Sequence, residues 1–166
     1  MGFRDKVLSR DQLPAWRAQL RARGRILVVT NGCFDLLHLG HVTYLAAARD
    51  LGDCLLVGVN GDASVRALKG EGRPVHPAEE RAAVLAALAA VDAVCLFPEV
   101  DALAFLTIAQ PDVYAKGGDY TLDTINQDER RLVERLGGRV VVLGGVGGHS
   151  TTATLHQLRR AAPAGD

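Results

Sequence analysis

The chemistry in this chain concentrates around two histidines three residues apart, His38 and His41, in the stretch Asn31-Gly32-Cys33-Phe34-Asp35-Leu36-Leu37-His38-Leu39-Gly40-His41. An apolar run precedes them and a helical pattern follows. Residues three apart on a first helical turn face the same way. The start of a helix also offers unpaired N–H groups and positive dipole potential. On their own two such imidazoles read either as ordinary turn histidines or as donors to phosphate oxygens, and Gly40 permits close backbone approach. A metal pair on a helix would favour HExxH spacing, and no cysteine or third histidine is recruited.

Four further segments hold unusual chemistry. Asn60-Gly61-Asp62 follows the second apolar run. Lys69-Gly70-Glu71-Gly72-Arg73-Pro74 puts two glycines between two cations, and reads either as a solvated loop or as a mobile arm that closes on phosphates and excludes water. Arg81 on the next helix is placed to join it. Lys116-Gly117-Gly118-Asp119-Tyr120-Thr121 sets paired glycines between a cation and an acid. The glycine-rich stretch from Gly144 runs into Ser150, Thr151 and Thr152 at a helix start.

The elements that position these segments alternate. Strands are expected at Ile26–Thr30, Cys54–Asn60, Ala93–Phe97, Val113–Lys116 and Arg139–Leu143. Helices are expected at Arg10–Arg23, Gly40–Leu51, Pro77–Ala90, Asp101–Ala109, Asn126–Leu136 and Thr151–Arg160, with a capping box from Thr124 to Gln127 and Trp16 as a packing anchor. The strands are almost wholly apolar, as strands buried on both faces are. The expected fold is therefore α/β: a single-domain, doubly wound (Rossmann-like) parallel five-stranded sheet with helices on both faces. On this reading residues 1–24 are expected to form a helical extension, 25–160 the domain and 161–166 a flexible tail. Ligands of such sheets bind beyond the carboxyl ends of the strands, where all five segments fall.

Composition narrows the function classes. The chain has 166 residues, 48% of them hydrophobic, with 19 basic and 19 acidic side chains. Zero formal charge argues against a nucleic-acid coat or a membrane-attracted surface. No apolar segment approaches the roughly 18 residues of a membrane span. The polar start reads as no signal peptide, and Cys33, Cys54 and Cys95 read as buried reduced thiols, so a cytoplasmic setting is expected. Neither a GxGxxG after the first strand nor a GxxxxGK[ST] occurs, which counts against a redox dinucleotide-binding protein and a P-loop enzyme.

Taken together, these segments resemble the HxGH nucleotidyltransferase superfamily, in its cytidylyltransferase-like branch. GxFDxxHxGH, VxVNxD, LKGxGRP, KGGDYT and STT stand in that family's order from about Leu27 to Leu158. KGGDYT in particular resembles the heptose 1-phosphate adenylyltransferases. The resemblance implies transfer of AMP from ATP to a sugar 1-phosphate, with Mg²⁺ carried by the triphosphate. His38, His41 and Lys69 would be catalytic. Gly32, Cys33, Phe34, Gly40, His41, Lys116, Gly118, Asp119, Ser150, Thr151 and Thr152 would bind nucleotide. Asp35, Asn60, Asp62, Lys69, Arg73 and Arg81 would bind acceptor. No resident metal site, nucleic acid or membrane is implied. A separate sugar kinase and a homodimer are.

Two departures bear on the acceptor: Gly61 stands where relatives often carry serine, and His149 where an aromatic is common before STT. Glycerol-3-phosphate cytidylyltransferases resemble the chain too. They carry an arginine-containing RTxGISTT element, and the arginine is missing here, which favours ATP over CTP. A non-catalytic nucleotide-sensing module would have no need of both histidines.

Overall fold

The computed structural model describes residues 2–144. A short 3₁₀ turn at Phe3–Lys6 leads into β1 (Val7–Leu8) and α1 (Leu13–Ala22). There follow β2 (Leu27–Gly32), α2 (Leu39–Arg49), β3 (Cys54–Asn60), α3 (Asp62–Lys69) and α4 (Ala78–Ala86). The remainder is β4 (Ala93–Phe97), α5 (Leu103–Ala109), β5 (Val113–Gly118), α6 (Gln127–Arg135) and β6 (Arg139–Gly144). All strands pair in parallel, in the order β1-β4-β3-β2-β5-β6.

The apolar runs behave as the physics of buried strands requires. Every residue of β3 is buried. Successive side chains of a strand point to opposite faces. Leu27, Val29 and Tyr114 enter a core layer with α1, α5 and α6. Val28, Val113 and Ala115 enter the other, with α2 and α4. Trp16 is partly buried against the first layer.

The sheet has six strands among the described residues, one more than expected. The addition is β1, which pairs Val7 with Val94 and Leu8 with Cys95 at the sheet edge. Two residues are too few to show a period. α3 was also not anticipated. It lies between Asn60 and the loop expected at Lys69–Pro74, with Asp62 in its first turn, and it buries Ser64 and Val65. α4 ends at Ala86, before the expected Ala90. The cap of α6 is Asn126, whose side chain accepts from the amides of Asp128 and Glu129, and not a box opened by Thr124. The helix expected at Thr151–Arg160 lies outside the described residues, as do Ser150, Thr151 and Thr152.

From β2 the chain moves to β3 and β4 on one side, then returns to place β5 and β6 on the other. The order reverses between β2 and β5. That crevice is where ligands of open α/β sheets sit.

Candidate active site

The loop after β2 delivers the histidines to this crevice. His38 is the extended N-cap of α2, and His41 lies in its first turn. The amides of His41 and Val42 both turn back to the His38 carbonyl, at 3.0 and 3.3 Å. The earlier amides, of Leu39 and Gly40, have no acceptor inside the helix, as at any helix start. The imidazoles stack with centroids 3.9 Å apart, and Phe34 lies 5.4 Å from His41 on another side. Burial, and then the neighbouring His38, push His41 down to about 4. His41 is therefore neutral near pH 7. Its Nδ1 is buried and has no hydrogen-bond partner among the described residues, so no described protein group fixes its tautomer.

Tyr44, one turn further along α2, ties that helix across the crevice. Its hydroxyl lies 2.6 Å from Thr30 Oγ1 on β2 and donates to the Ala115 carbonyl of β5 at 2.9 Å. The ring lies over Gly117, where a Cβ would stand 2.5 Å from ring carbons. Glycine is needed there for space.

On the other side of the histidines, a buried polar cluster joins three loops. Asp35 is 4% exposed. It pairs with Arg73 Nε and accepts from the Val75 and His76 amides at 2.8 and 3.2 Å. Burial would raise this carboxyl, but the Arg73 hydrogen bond, the two amides and the Arg73 charge outweigh it and hold it below its ordinary value. The segment after α3 is therefore fastened to the HxGH loop at Arg73, where the sequence led us to expect a freely closing arm. Arg81 is 2% exposed. It donates to the carbonyls of Cys33, Asn60 and His76 and to the Asp62 carboxylate. Asn60 donates to Ser64 Oγ and to the Glu99 carbonyl. The donors of Arg81 and Asn60 thus serve the protein, clamping the ends of β2 and β3 together.

Lys69 ends α3, exposed. Burial raises the Cys33 thiol, while Lys69, Arg81 and Arg73 each pull it down. Asp35 pushes it up again, and of the three cations Arg73 and Arg81 are paired with Asp35 and Asp62, which leaves Lys69 as the exposed positive charge in this region. Gly118, with φ +104°, ends β5 exposed, and exposed Asp119 follows it.

A fourth group lies between β2 and β5. Lys116 Nζ is 3.2 Å from Asn31 Oδ1, 3.0 Å from the Tyr114 hydroxyl and 3.6 Å from Glu129 Oε2. Glu129 is buried and accepts from the Ala102 amide at 2.9 Å. Burial lowers Lys116, and Glu129 opposes that shift. Sequence reasoning singled out Lys116 but missed Tyr44, Tyr114 and Glu129 and gave no role to Asn31. Tyr114 reads as one more apolar strand residue. Glu129 sits on a charged helix that shows no sign of a buried carboxylate.

Among the described residues no three His, Cys, Asp or Glu side chains gather to hold a metal ion, and no helix is long and apolar enough to cross a membrane.

A family model described as cytidylyltransferase-like matches residues 29–144. The bifunctional protein HldE of Pseudomonas syringae pv. syringae is 51% identical over 153 residues, 92% of this chain and 32% of that protein. HldE of Trichlorobacter lovleyi is 48% identical over 153 residues, 92% of this chain and 31% of its own. The chain thus spans about a third of the length of these curated relatives. Among solved structures, the lipopolysaccharide core biosynthesis protein of Thermoplasma volcanium is similar with a TM-score of 0.62 and 31% identity, over 74% of this chain and 98% of that one. Pantoate-beta-alanine ligase of Francisella tularensis shares the fold, with a TM-score of 0.56 and 12% identity over 92% of this chain and 76% of the other.

Proposed function

Because the chain belongs to the cytidylyltransferase-like family, we propose that it transfers AMP from ATP to a sugar 1-phosphate, with D-glycero-D-manno-heptose 1-phosphate as acceptor. The products are ADP-heptose and pyrophosphate. The observation that carries this reading is the stacked His38–His41 pair at the start of α2, beside the β2–β5 crevice. The heptose acceptor is supported by the extent of likeness to HldE and by the likeness to the lipopolysaccharide core biosynthesis protein of Thermoplasma volcanium.

In the reaction an oxygen of the acceptor phosphate attacks the α-phosphorus of ATP. The bond from that phosphorus to the bridging oxygen breaks, and pyrophosphate leaves with the electron pair. The acceptor is already an anion, so no protein nucleophile is required. Catalysis rests on alignment and on charge stabilisation. His38 and His41 meet the phosphates in line. Lys69, exposed at the end of α3, supplies positive charge to the transferring group. Arg73 faces the acceptor side, where Asp35 holds it until a phosphate competes for its guanidinium. Arg81, Asn60 and Asp62 keep the loops in register. Ser150, Thr151 and Thr152 hold the β and γ phosphates. Mg²⁺, expected as the triphosphate's partner and held by the nucleotide and water, would supply charge neutralisation for the departing pyrophosphate. The reading includes a cytoplasmic homodimer and a sugar kinase that supplies the acceptor.

The test incubates the protein with heptose 1-phosphate and each of the four ribonucleoside triphosphates, and detects the product by mass spectrometry. ADP-heptose with ATP is expected. Preference for CTP would overturn the adenylyl assignment.

A further inference from the structure

We propose that Asn31 contacts the nucleotide: Tyr114 and Lys116 lock its carboxamide so that Nδ2 presents its N–H groups to an oxygen of the bound nucleoside triphosphate. This inference rests on the nucleotidyl-transfer reading above.

Asn31 stands near the carboxyl end of β2, beside β5. The Tyr114 hydroxyl lies 2.5 Å from its Oδ1 and the Lys116 ammonium 3.2 Å. An ammonium has donors and no lone pair, so the carboxamide atom facing it is the oxygen. Burial, and then the Glu129 charge, hold the Tyr114 phenol well above its ordinary value, so it keeps its proton. Glu129 anchors both donors from α6, at 2.7 Å from the phenol and 3.6 Å from the ammonium. The phenol has one proton to place between Oδ1 and Glu129 Oε2, but the Lys116 ammonium donates to Oδ1 in either case, so the amide nitrogen points away from this pair. It donates to no described residue, and Asn31 is only half-buried.

Lys116 offers the ligand little directly. Its side chain is 16% exposed, and its three N–H groups face Asn31, Tyr114 and Glu129. It acts through Asn31. If the network needed only an acceptor, a carboxylate would pair better with Lys116. What the carboxamide adds is a pair of N–H donors at the switch point of the sheet. Lys116 and Glu129 offset each other in charge, so Nδ2 is a neutral donor whose work is orientation.

The experiment measures KM for ATP and for the sugar 1-phosphate separately. Asn31→Asp keeps the acceptor for Tyr114 and Lys116 but replaces the donors with a charged oxygen. KM for ATP should rise roughly tenfold or more, and KM for the sugar phosphate should stay within about twofold. Asn31→Ala, which adds no charge, should raise KM for ATP roughly threefold to tenfold and decides the matter if the aspartate variant fails to fold. An ATP KM within about twofold of wild type in a folded variant overturns the proposal. So does a rise confined to the sugar phosphate. Wild-type protein that neither binds nor turns over ATP would remove the nucleotidyl-transfer reading itself, a failure separate from wild-type turnover that Asn31 does not affect.

Discussion

Replacing Gly117 with alanine should damage the histidine helix without touching a histidine. The new Cβ would stand 2.5 Å from Tyr44 Cδ2 and Cε2 and 2.9 Å from Cγ. Carbon atoms settle at about 3.5–4.0 Å, so the ring must retreat by roughly 1 Å. It cannot do so freely, because its hydroxyl is held by Thr30 Oγ1 and the Ala115 carbonyl. Overpacking costs about 1–3 kcal/mol, and losing one of those hydrogen bonds about 1 kcal/mol more. We expect Gly117→Ala to lower unfolding stability by about 2–4 kcal/mol in urea titration. A displacement of roughly 1 Å at α2 should also reduce turnover by roughly a hundredfold. Placing the same change in a Tyr44→Ala background removes the clash, so its stability cost there should fall below about 1 kcal/mol. An equal cost in both backgrounds would refute the claim that Tyr44 and Gly117 fit together to seat the helix.

Three other outcomes follow from the site. Arg81→Met leaves three carbonyls and the Asp62 carboxylate without their donor, and should cost about 3–5 kcal/mol by denaturant unfolding; a loss under about 1 kcal/mol would contradict the clamp. His41 has a pKa of about 4, and bound phosphates would raise it. Between those two values ATP binding takes up a proton and tightens as pH falls. Calorimetry near pH 6 in buffers of different ionisation enthalpy should show uptake that His41→Ala removes; identical uptake by both proteins would count against it. The folded-state pKa of Asp35 lies below its ordinary value of 3.8, so its contribution to stability is present above that value and is lost as pH falls through the folded pKa. Asp35→Asn should therefore be less stable than wild type at pH 7, with the gap narrowing below about pH 4; a gap independent of pH would refute this.

The parts of the fold legible in the sequence were those written in long patterns. β3 and β4 match their apolar runs end to end, because a strand buried on both faces needs an unbroken apolar segment. β1 was illegible because two residues carry no period, and its pairing depends on β4, whose partner residues lie 87 positions downstream. α3 was hidden by Gly61 and Gly70, which read as loop residues but act as its two caps. In the site, the histidine spacing was legible since a helical turn places His38 and His41 together. The partners of the charged residues were not. Arg81 and Arg73 read alike as candidate phosphate ligands, yet tertiary packing turns one onto three carbonyls and the other onto Asp35. Glu129 was missed because burial of a carboxylate on a polar helix depends on Tyr114, Lys116 and the Ala102 amide, all distant in sequence.

The central claim is that an oxygen of the acceptor phosphate becomes the one bonded to the α-phosphorus, with pyrophosphate leaving. The measurement that tests it most directly uses sugar 1-phosphate labelled with ¹⁸O in its non-bridging phosphate oxygens, with ATP unlabelled. Mass spectrometry and ³¹P NMR should find the label in the P–O–P bridge and outer oxygens of the ADP-sugar, and released pyrophosphate free of it. Labelled pyrophosphate, or an unlabelled bridge, would contradict the account.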